Sequence, residues 1–260
     1  MSVGRIETRT EGAVGWIVFN NSKRRNAMSL AMWTGLSEAL ERFAADADVR
    51  VVVLCGAGEA AFVSGADISE FDAHRSDAAA AAEYARATDA AWKALGAFDK
   101  PMIAMIKGFC FGGGVAIAMK ADLRIAADNA IFSIPAARLG IAYPPHSIRD
   151  LVALVGSAKA KEILYTGARL AAVAAEDIGL INNVVPAHYL ESETAALCAT
   201  IAENAPLTVR AAKETIDQIV RDAPDPARIA ELVGACFDSA DYAEGRRAFM
   251  EKRQPRFNGC

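Results

Sequence analysis

Apolar positions alternate near the start of the chain: Val14, Trp16 and Val18 interleave with Gly15, Ile17 and Phe19, after a 6–10 stretch and a Glu11-Gly12 turn. A period of two on either side of a glycine turn predicts a β-hairpin. The pattern then becomes helical. Leu30, Trp33, Leu36, Leu40 and Phe43 share one face of a helix running to about Ala45, and Ser29 stands where a side-chain oxygen can cap its first turn. Residues 49–55 (VRVVVLC) suit a strand buried on both faces. The chain turns helical from Asp67, and 78–98 is a long alanine-rich helix ended by Asp99-Lys100-Pro101. Residues 101–107 form a second buried strand, Gly112-Gly113-Gly114 opens a helix to Lys120, and 122–127 is another short strand.

Strands alternating with helices predict an α/β architecture with parallel pairing. Beyond Pro186 the pattern is helical almost throughout 188–249, interrupted at Pro206, Pro224 and Pro226. The expected plan is an α/β core over residues 1–200, followed by a helical region, 201–260, packed on itself or on a neighbouring subunit.

Composition narrows the function classes. With 260 residues, 53% apolar and 23% charged, the chain can bury a sizeable core, which excludes a disordered chain or a disulfide-stapled miniature. Its 28 basic and 32 acidic residues are mixed, and the net charge of −4 gives no electrostatic reason for a nucleic-acid or membrane-surface partner. No apolar run reaches the roughly 20 residues a membrane-spanning helix needs, and the first residues lack the apolar core of a secretory signal. Five scattered cysteines read as reduced core thiols of a cytoplasmic protein. His74, His146 and His188 make no metal-ligand spacing, so no metal is expected.

Two glycine-centred junctions carry the candidate chemistry: AFVSGADISEF at 61–71 and KGFCFGGGVAI at 107–117. Each places glycine where a strand is expected to stop and a helix to begin. First-turn N–H groups are unsatisfied and stand at the positive end of the helix dipole. A missing Cβ lets a ligand approach the backbone. Two such turns converging on one oxygen would make an oxyanion hole; either turn alone also serves tight packing. Gly112-Gly113-Gly114 is followed by Val115 and no suitably spaced third glycine, so it is not a dinucleotide fingerprint, and no Gly-Lys-Ser/Thr makes it a P-loop.

Phe62-Val-Ser-Gly-Ala-Asp67 and Gly108-Phe-Cys-Phe-Gly-Gly-Gly114 resemble the two signature loops of the enoyl-CoA hydratase/isomerase (crotonase) superfamily. Asn26-Ala27-Met28, Phe132-Ser-Ile-Pro135, Leu164-Tyr-Thr-Gly167, Val184-Val-Pro186 and the 244–252 segment extend the likeness in order along nearly the whole chain. The resemblance implies a crotonase-like ββα spiral core with a C-terminal helical region and assembly as a homotrimer or dimer of trimers. It implies an acyl-CoA thioester as substrate, with no further cofactor. Carried over by residue, the N–H groups of Ala66 and Gly113 would hold the thioester oxygen and stabilise an enolate. Ser64 would line the adenine region through its main chain. Arg24 or Arg25, and Lys252, fall where CoA phosphates are held, unless they are solvated surface charges.

One departure bears on the reaction. Hydratases of that family place two glutamates at positions that here hold Ala116 and Ala136, and the position of the aspartate in dehalogenase-like members falls near Pro144. A methyl group can neither move a proton nor orient water, which removes the basis of two-glutamate hydration. The 139–149 segment offers replacements. His146 has a suitable intrinsic pKa for acid–base work, or is a solvent-exposed residue at a helix start. Tyr143 is a pocket wall whose hydroxyl could reach ligand. Glu70 and Asp72 read as first-turn acids that could approach the acyl end, and Arg138 as a partner for an acidic acyl group or an ion pair. Phe111 or Met119 could fill the volume the glutamates leave. The leading reading is an acyl-CoA lyase or isomerase; the other is a non-catalytic acyl-CoA-binding homologue.

Overall fold

β1 (Arg5–Glu11) and β2 (Val14–Asn20) form the expected hairpin, antiparallel with Arg5 opposite Asn20 and Glu11 opposite Val14. They begin a computed structural model that describes residues 4–67 and 77–260. The 68–76 segment, with Glu70, Asp72 and the expected turn to helix after Asp67, lies outside the described residues. β3 (Val51–Gly56), β5 (Met102–Ile106), β7 (Leu123–Ala127) and β10 (Asn183–Val185) continue the sheet in the order β1-β2-β3-β5-β7-β10, all parallel after the hairpin.

Alternate residues of these strands feed two separate cores. Phe19, Leu54 and Met102 point to one, while Trp16, Val53 and Ile103 point to the other. Covering both faces explains why the inner strands read as continuous apolar runs. α1 (Leu30–Ala45) and α2 (Ala78–Ala97) pack together beside the first core. The Ser29 hydroxyl accepts from the Met32 N–H (3.3 Å) and the Asp77 carboxylate from the Ala80 N–H (2.8 Å), capping both helices. The second core is closed by α6 (Leu190–Ala202) through Leu190 and Cys198.

A second, smaller sheet was not anticipated. β4 (Ala61–Val63), β6 (Phe109–Phe111), β8 (Ile131–Ser133) and β9 (Leu170–Ala171) pair in that order, parallel except for the last pair. The two glycine junctions therefore leave short strands of this sheet, not the long buried strands directly. α3 (Gly113–Lys120) follows β6, α4 (Pro145–Thr166) precedes β9, and α5 (Ala172–Asp177) follows it.

The closing helices are α7 (Pro206–Val220), α8 (Pro226–Phe237) and α9 (Ala240–Glu251). Pro206 and Pro226 do not interrupt helices; each begins one at the first position, where the missing N–H would have had no partner. The last residues fold back on α9. Asp241 accepts from the N–H groups of Asn258 and Gly259, and Glu244 accepts from the Arg253 guanidinium and the Arg256 N–H. Among the described residues, no helix is long and apolar enough to cross a membrane.

Candidate active site

The first turn is set by Asn26, which is buried and adopts φ 57°. Its side chain accepts from the Asn21 N–H (3.1 Å) and donates to the carbonyls of Ala57 (3.0 Å) and Ala61 (2.7 Å), fixing the entry to β4. Past β4, the Met28 N–H donates to the Gly65 carbonyl (2.8 Å) and the Asp67 N–H to the Met28 carbonyl (2.9 Å). Successive N–H groups of an extended segment point to opposite sides, so the Ala66 N–H faces away from Met28.

The second turn begins at Gly112, whose N–H donates to the Ser133 carbonyl (2.8 Å) and whose φ is 50°. The Ala116 N–H returns to the Gly112 carbonyl (3.2 Å), leaving those of Gly113, Gly114 and Val115 in the first turn of α3, without intrahelical partners. The two turns abut. A Cβ on Gly113 would lie 3.8 Å from the Gly65 Cα, an ordinary contact, whereas one on Gly114 would lie 2.0 Å from the Val63 carbonyl oxygen. Glycine is thus required for packing at 114, while at 113 the space stays open.

Two tethers align α3 with the start of α4. The Tyr143 hydroxyl donates to the Gly112 carbonyl (3.0 Å), and Lys120 Nζ lies 2.7 Å from the Asp150 carboxylate. Gly112, Ala116 and Lys120 are spaced by four from the cap through α3; Tyr143, His146 and Asp150 by three and four from just before α4 into it. The two tethers thus join the start of α3 to the residues that lead into α4, and its end to the second turn of α4; along the chain, buried Ala116 and half-buried His146 each fall between tethered residues.

The His146 ring lies against Trp92 of α2, centroids 5.2 Å apart and planes at 56°, and its Nε2 is enclosed without a hydrogen-bond partner among the described residues. Burial pushes its pKa below the ordinary 6.5, aided by Lys120 and Arg149 and opposed by Asp150 and Asp89. Folding thus favours the neutral ring. Its contribution to stability is complete above about pH 6.5 and declines as pH falls toward and through the lowered folded value. Urea unfolding of the wild type should show this acid-side loss below 6.5, and His146→Gln should flatten that part of the profile; an unchanged slope would contradict the assignment.

The other anticipated residues divide. Tyr143 is engaged with a backbone carbonyl, and burial raises its phenol well above the ordinary range. The Ser64 N–H donates to the Arg25 carbonyl (3.2 Å) and its hydroxyl to that of Arg24 (3.1 Å). Arg24 reaches the Asp67 carboxylate (3.4 Å), and Arg25 lies over the Phe109 ring at 4.5 Å. Ser64, Arg24, Arg25 and Ala66 thus share one edge. Lys252 is the exposed residue ending α9, and among the described residues no hydrogen bond or ion pair joins it to that edge. Arg138 is exposed and donates to the Thr166 carbonyl (3.0 Å) beside buried Ala136, while Phe111 packs edge-on against Phe109. Trp92 was missed. Its signal was its eight-residue spacing from Tyr84, two helical turns along the alanine-rich stretch.

A family model described as "Enoyl-CoA hydratase/isomerase" matches residues 9–260. The chain belongs to the enoyl-CoA hydratase/isomerase family. It is 32% identical over 256 residues to a short-chain-enoyl-CoA hydratase of Clostridium acetobutylicum, covering 98% of this chain and 97% of that one. It is 31% identical over 264 residues to a methylmalonyl-CoA decarboxylase of Escherichia coli, covering both chains fully (100% each). A crystal structure of an enoyl-CoA hydratase/carnithine racemase from Magnetospirillum magneticum superposes with a TM-score of 0.93 at 36% identity, covering 100% of this chain and 97% of that one. The fold of the family, with its parallel sheets and helices, is therefore the fold of this chain, and the family acts on CoA thioesters.

Proposed function

We propose that this family member binds an acyl-CoA with its thioester oxygen between the N–H groups of Ala66 and Gly113, stabilises the enolate, and moves a proton with His146. One observation supports this reading above the others: two tethers hold the segment that carries the imidazole against the helix that carries Ala116, the position where the family's hydratases carry a glutamate. A neutral imidazole with an unpartnered nitrogen can accept a proton there. Arg24 and Arg25 stand at the edge suited to CoA phosphates, and Lys252 would join them only from a neighbouring subunit of a homotrimer or dimer of trimers.

With His146 as the proton carrier and no carboxylate at 116 or 136, this reading suits reactions that need a single carrier. Double-bond migration is one: the imidazole takes the proton from the carbon beside the thioester and returns it two carbons further along the acyl chain. Loss of a carboxyl group is another, because departing CO₂ leaves its electron pair on the enolate and only one protonation remains. The decarboxylase among the relatives supports keeping both. Two-acid addition of water to an enoyl-CoA is what the site lacks.

The experiment is a pH profile of kcat/KM with 3-enoyl and carboxylated acyl-CoA thioesters. With the 3-enoyl thioester, from which the imidazole first accepts a proton, the wild type should lose activity through an acid limb below pH 6.5; with the carboxylated thioester, to which it donates one, activity should instead fall as pH rises. Ala116→Glu, adding a carboxylate on the helix tethered to the imidazole's segment, should move the acid limb up. A limb that stays fixed in the variant would remove His146 from the reaction. Tight acyl-CoA binding with no turnover across the panel would favour the non-catalytic homologue.

A further inference from the structure

The second glycine turn hinges on one peptide, whose carbonyl belongs to Gly112 and whose N–H belongs to Gly113. Gly112 adopts φ 50° and ψ −111°, the conformation of the first central position of a type II′ turn. Rotating the 112–113 peptide by half a turn would convert it to type I′, which needs positive φ at both central positions. Glycine at 112 and at 113 permits that rotation. Local backbone sterics therefore leave the direction of the Gly113 N–H open, and hydrogen bonds decide it. The carbonyl of this peptide accepts twice, from the Tyr143 hydroxyl (3.0 Å) and from the Ala116 N–H (3.2 Å). The Gly112 N–H, one peptide earlier, is tied to the Ser133 carbonyl (2.8 Å). In a trans peptide the C=O and the N–H point opposite ways. The phenol thus holds the peptide from the side away from the Gly113 N–H.

We infer that Tyr143 is a positioning residue: by clamping the Gly112 carbonyl it fixes the direction of the Gly113 N–H and strengthens that N–H as a donor to the thioester oxygen. The inference rests on the proposed acyl-CoA reading. A hydrogen bond accepted at the carbonyl end of an amide polarises it and makes the N–H at the other end a better donor, by about 10–30% per bond. Fixing the direction matters more. A donor already aimed at the place where charge develops costs no reorganisation during the reaction, and a peptide free to rotate loses that advantage. Without the phenol, the Ala116 N–H in the first turns of an eight-residue helix would be the one remaining bond on that carbonyl. Burial keeps the phenol protonated, so the clamp persists through the neutral pH range.

The test reads the thioester carbonyl directly. Butyryl-CoA, isotope-labelled at that carbonyl, is bound to the intact chain and its band is followed by infrared difference spectroscopy. In the wild type the band should lie at lower frequency than in water. Tyr143→Phe keeps the ring and should lose about half of that shift, because one of two donors is loosened. With the 3-enoyl thioester it should also lower kcat about tenfold or more, short of the roughly 10²–10³-fold that outright loss of such a donor costs, with KM changed by less than about threefold. Its acid limb should stay at the wild-type position, since the phenol does not titrate there. Replacing Tyr143 by 3-fluorotyrosine, nearly the same size and a stronger donor, should deepen the shift, and this measurement alone decides if Tyr143→Phe fails to fold. A band that 3-fluorotyrosine leaves unmoved, or that a folded Tyr143→Phe leaves unmoved, overturns the inference while the acyl-CoA reading stands. If butyryl-CoA does not bind, or its band in the wild type stays at the solution frequency, the acyl-CoA reading with its paired amides fails, and this inference with it.

Discussion

Replacing His146 by alanine should lower kcat by about 10²- to 10⁴-fold, the usual worth of a positioned acid or base, with little change in acyl-CoA affinity. Among the described residues, neither Tyr143 nor Lys120 can take over. Tyr143 donates its hydroxyl to Gly112 and is held protonated by burial, and Lys120 is ion-paired with Asp150. His146→Gln separates proton movement from placement: it retains hydrogen-bonding atoms near the site of Nε2 but does not titrate, so it should be as inactive as alanine. Steady-state kinetics on a thioester the wild type converts, alongside calorimetric Kd values, decide the matter. A fall of less than about threefold in both variants would leave the imidazole as a wall residue.

Gly114→Ala should be severely destabilising. Its Cβ would lie 2.0 Å from the Val63 carbonyl oxygen and 2.8 Å from the carbonyl carbon, both backbone atoms of β4 that no side-chain rotation can move. Relief requires α3 and the second sheet to separate at the place where the two turns abut. The expected cost is about 4 kcal/mol or more, in the range reserved for core disruption. For a domain of this size that corresponds to a fall in Tm of roughly 10 °C, or to failure to fold. Gly96→Ala supplies the control, since a Cβ there meets nothing within 4 Å. Thermal melts showing the two variants alike would contradict the packing.

The sequence made the large elements legible because they are long enough to show a period. The 14–19 alternation, the Ser29-capped stripe of α1 and the β-branched run ending at Cys55 are each borne out. The second sheet was hidden because strands of two or three residues, such as Ala61–Val63 and Leu170–Ala171, complete no period and read as loop. At the site, the glycine junctions were visible as motifs, and the loss of both glutamates was visible as a departure. The tethering of the His146 segment to α3 was not, because it depends on contacts between residues about thirty positions apart, the Tyr143 hydroxyl with the Gly112 carbonyl and Lys120 with Asp150. Alanine content likewise obscured Trp92, whose neighbour in space comes from a helix start more than fifty residues later.

The paired tethers between α3 and α4 also bear on how such a scaffold changes its chemistry. They behave like the two jaws of a vice, gripping above and below a single interchangeable bit. Whatever pair of side chains occupies the gap, the grip itself is made by a backbone carbonyl, a phenol and an ion pair that take no part in the exchange. Side chains between the jaws can therefore differ without loosening the frame that joins the two segments.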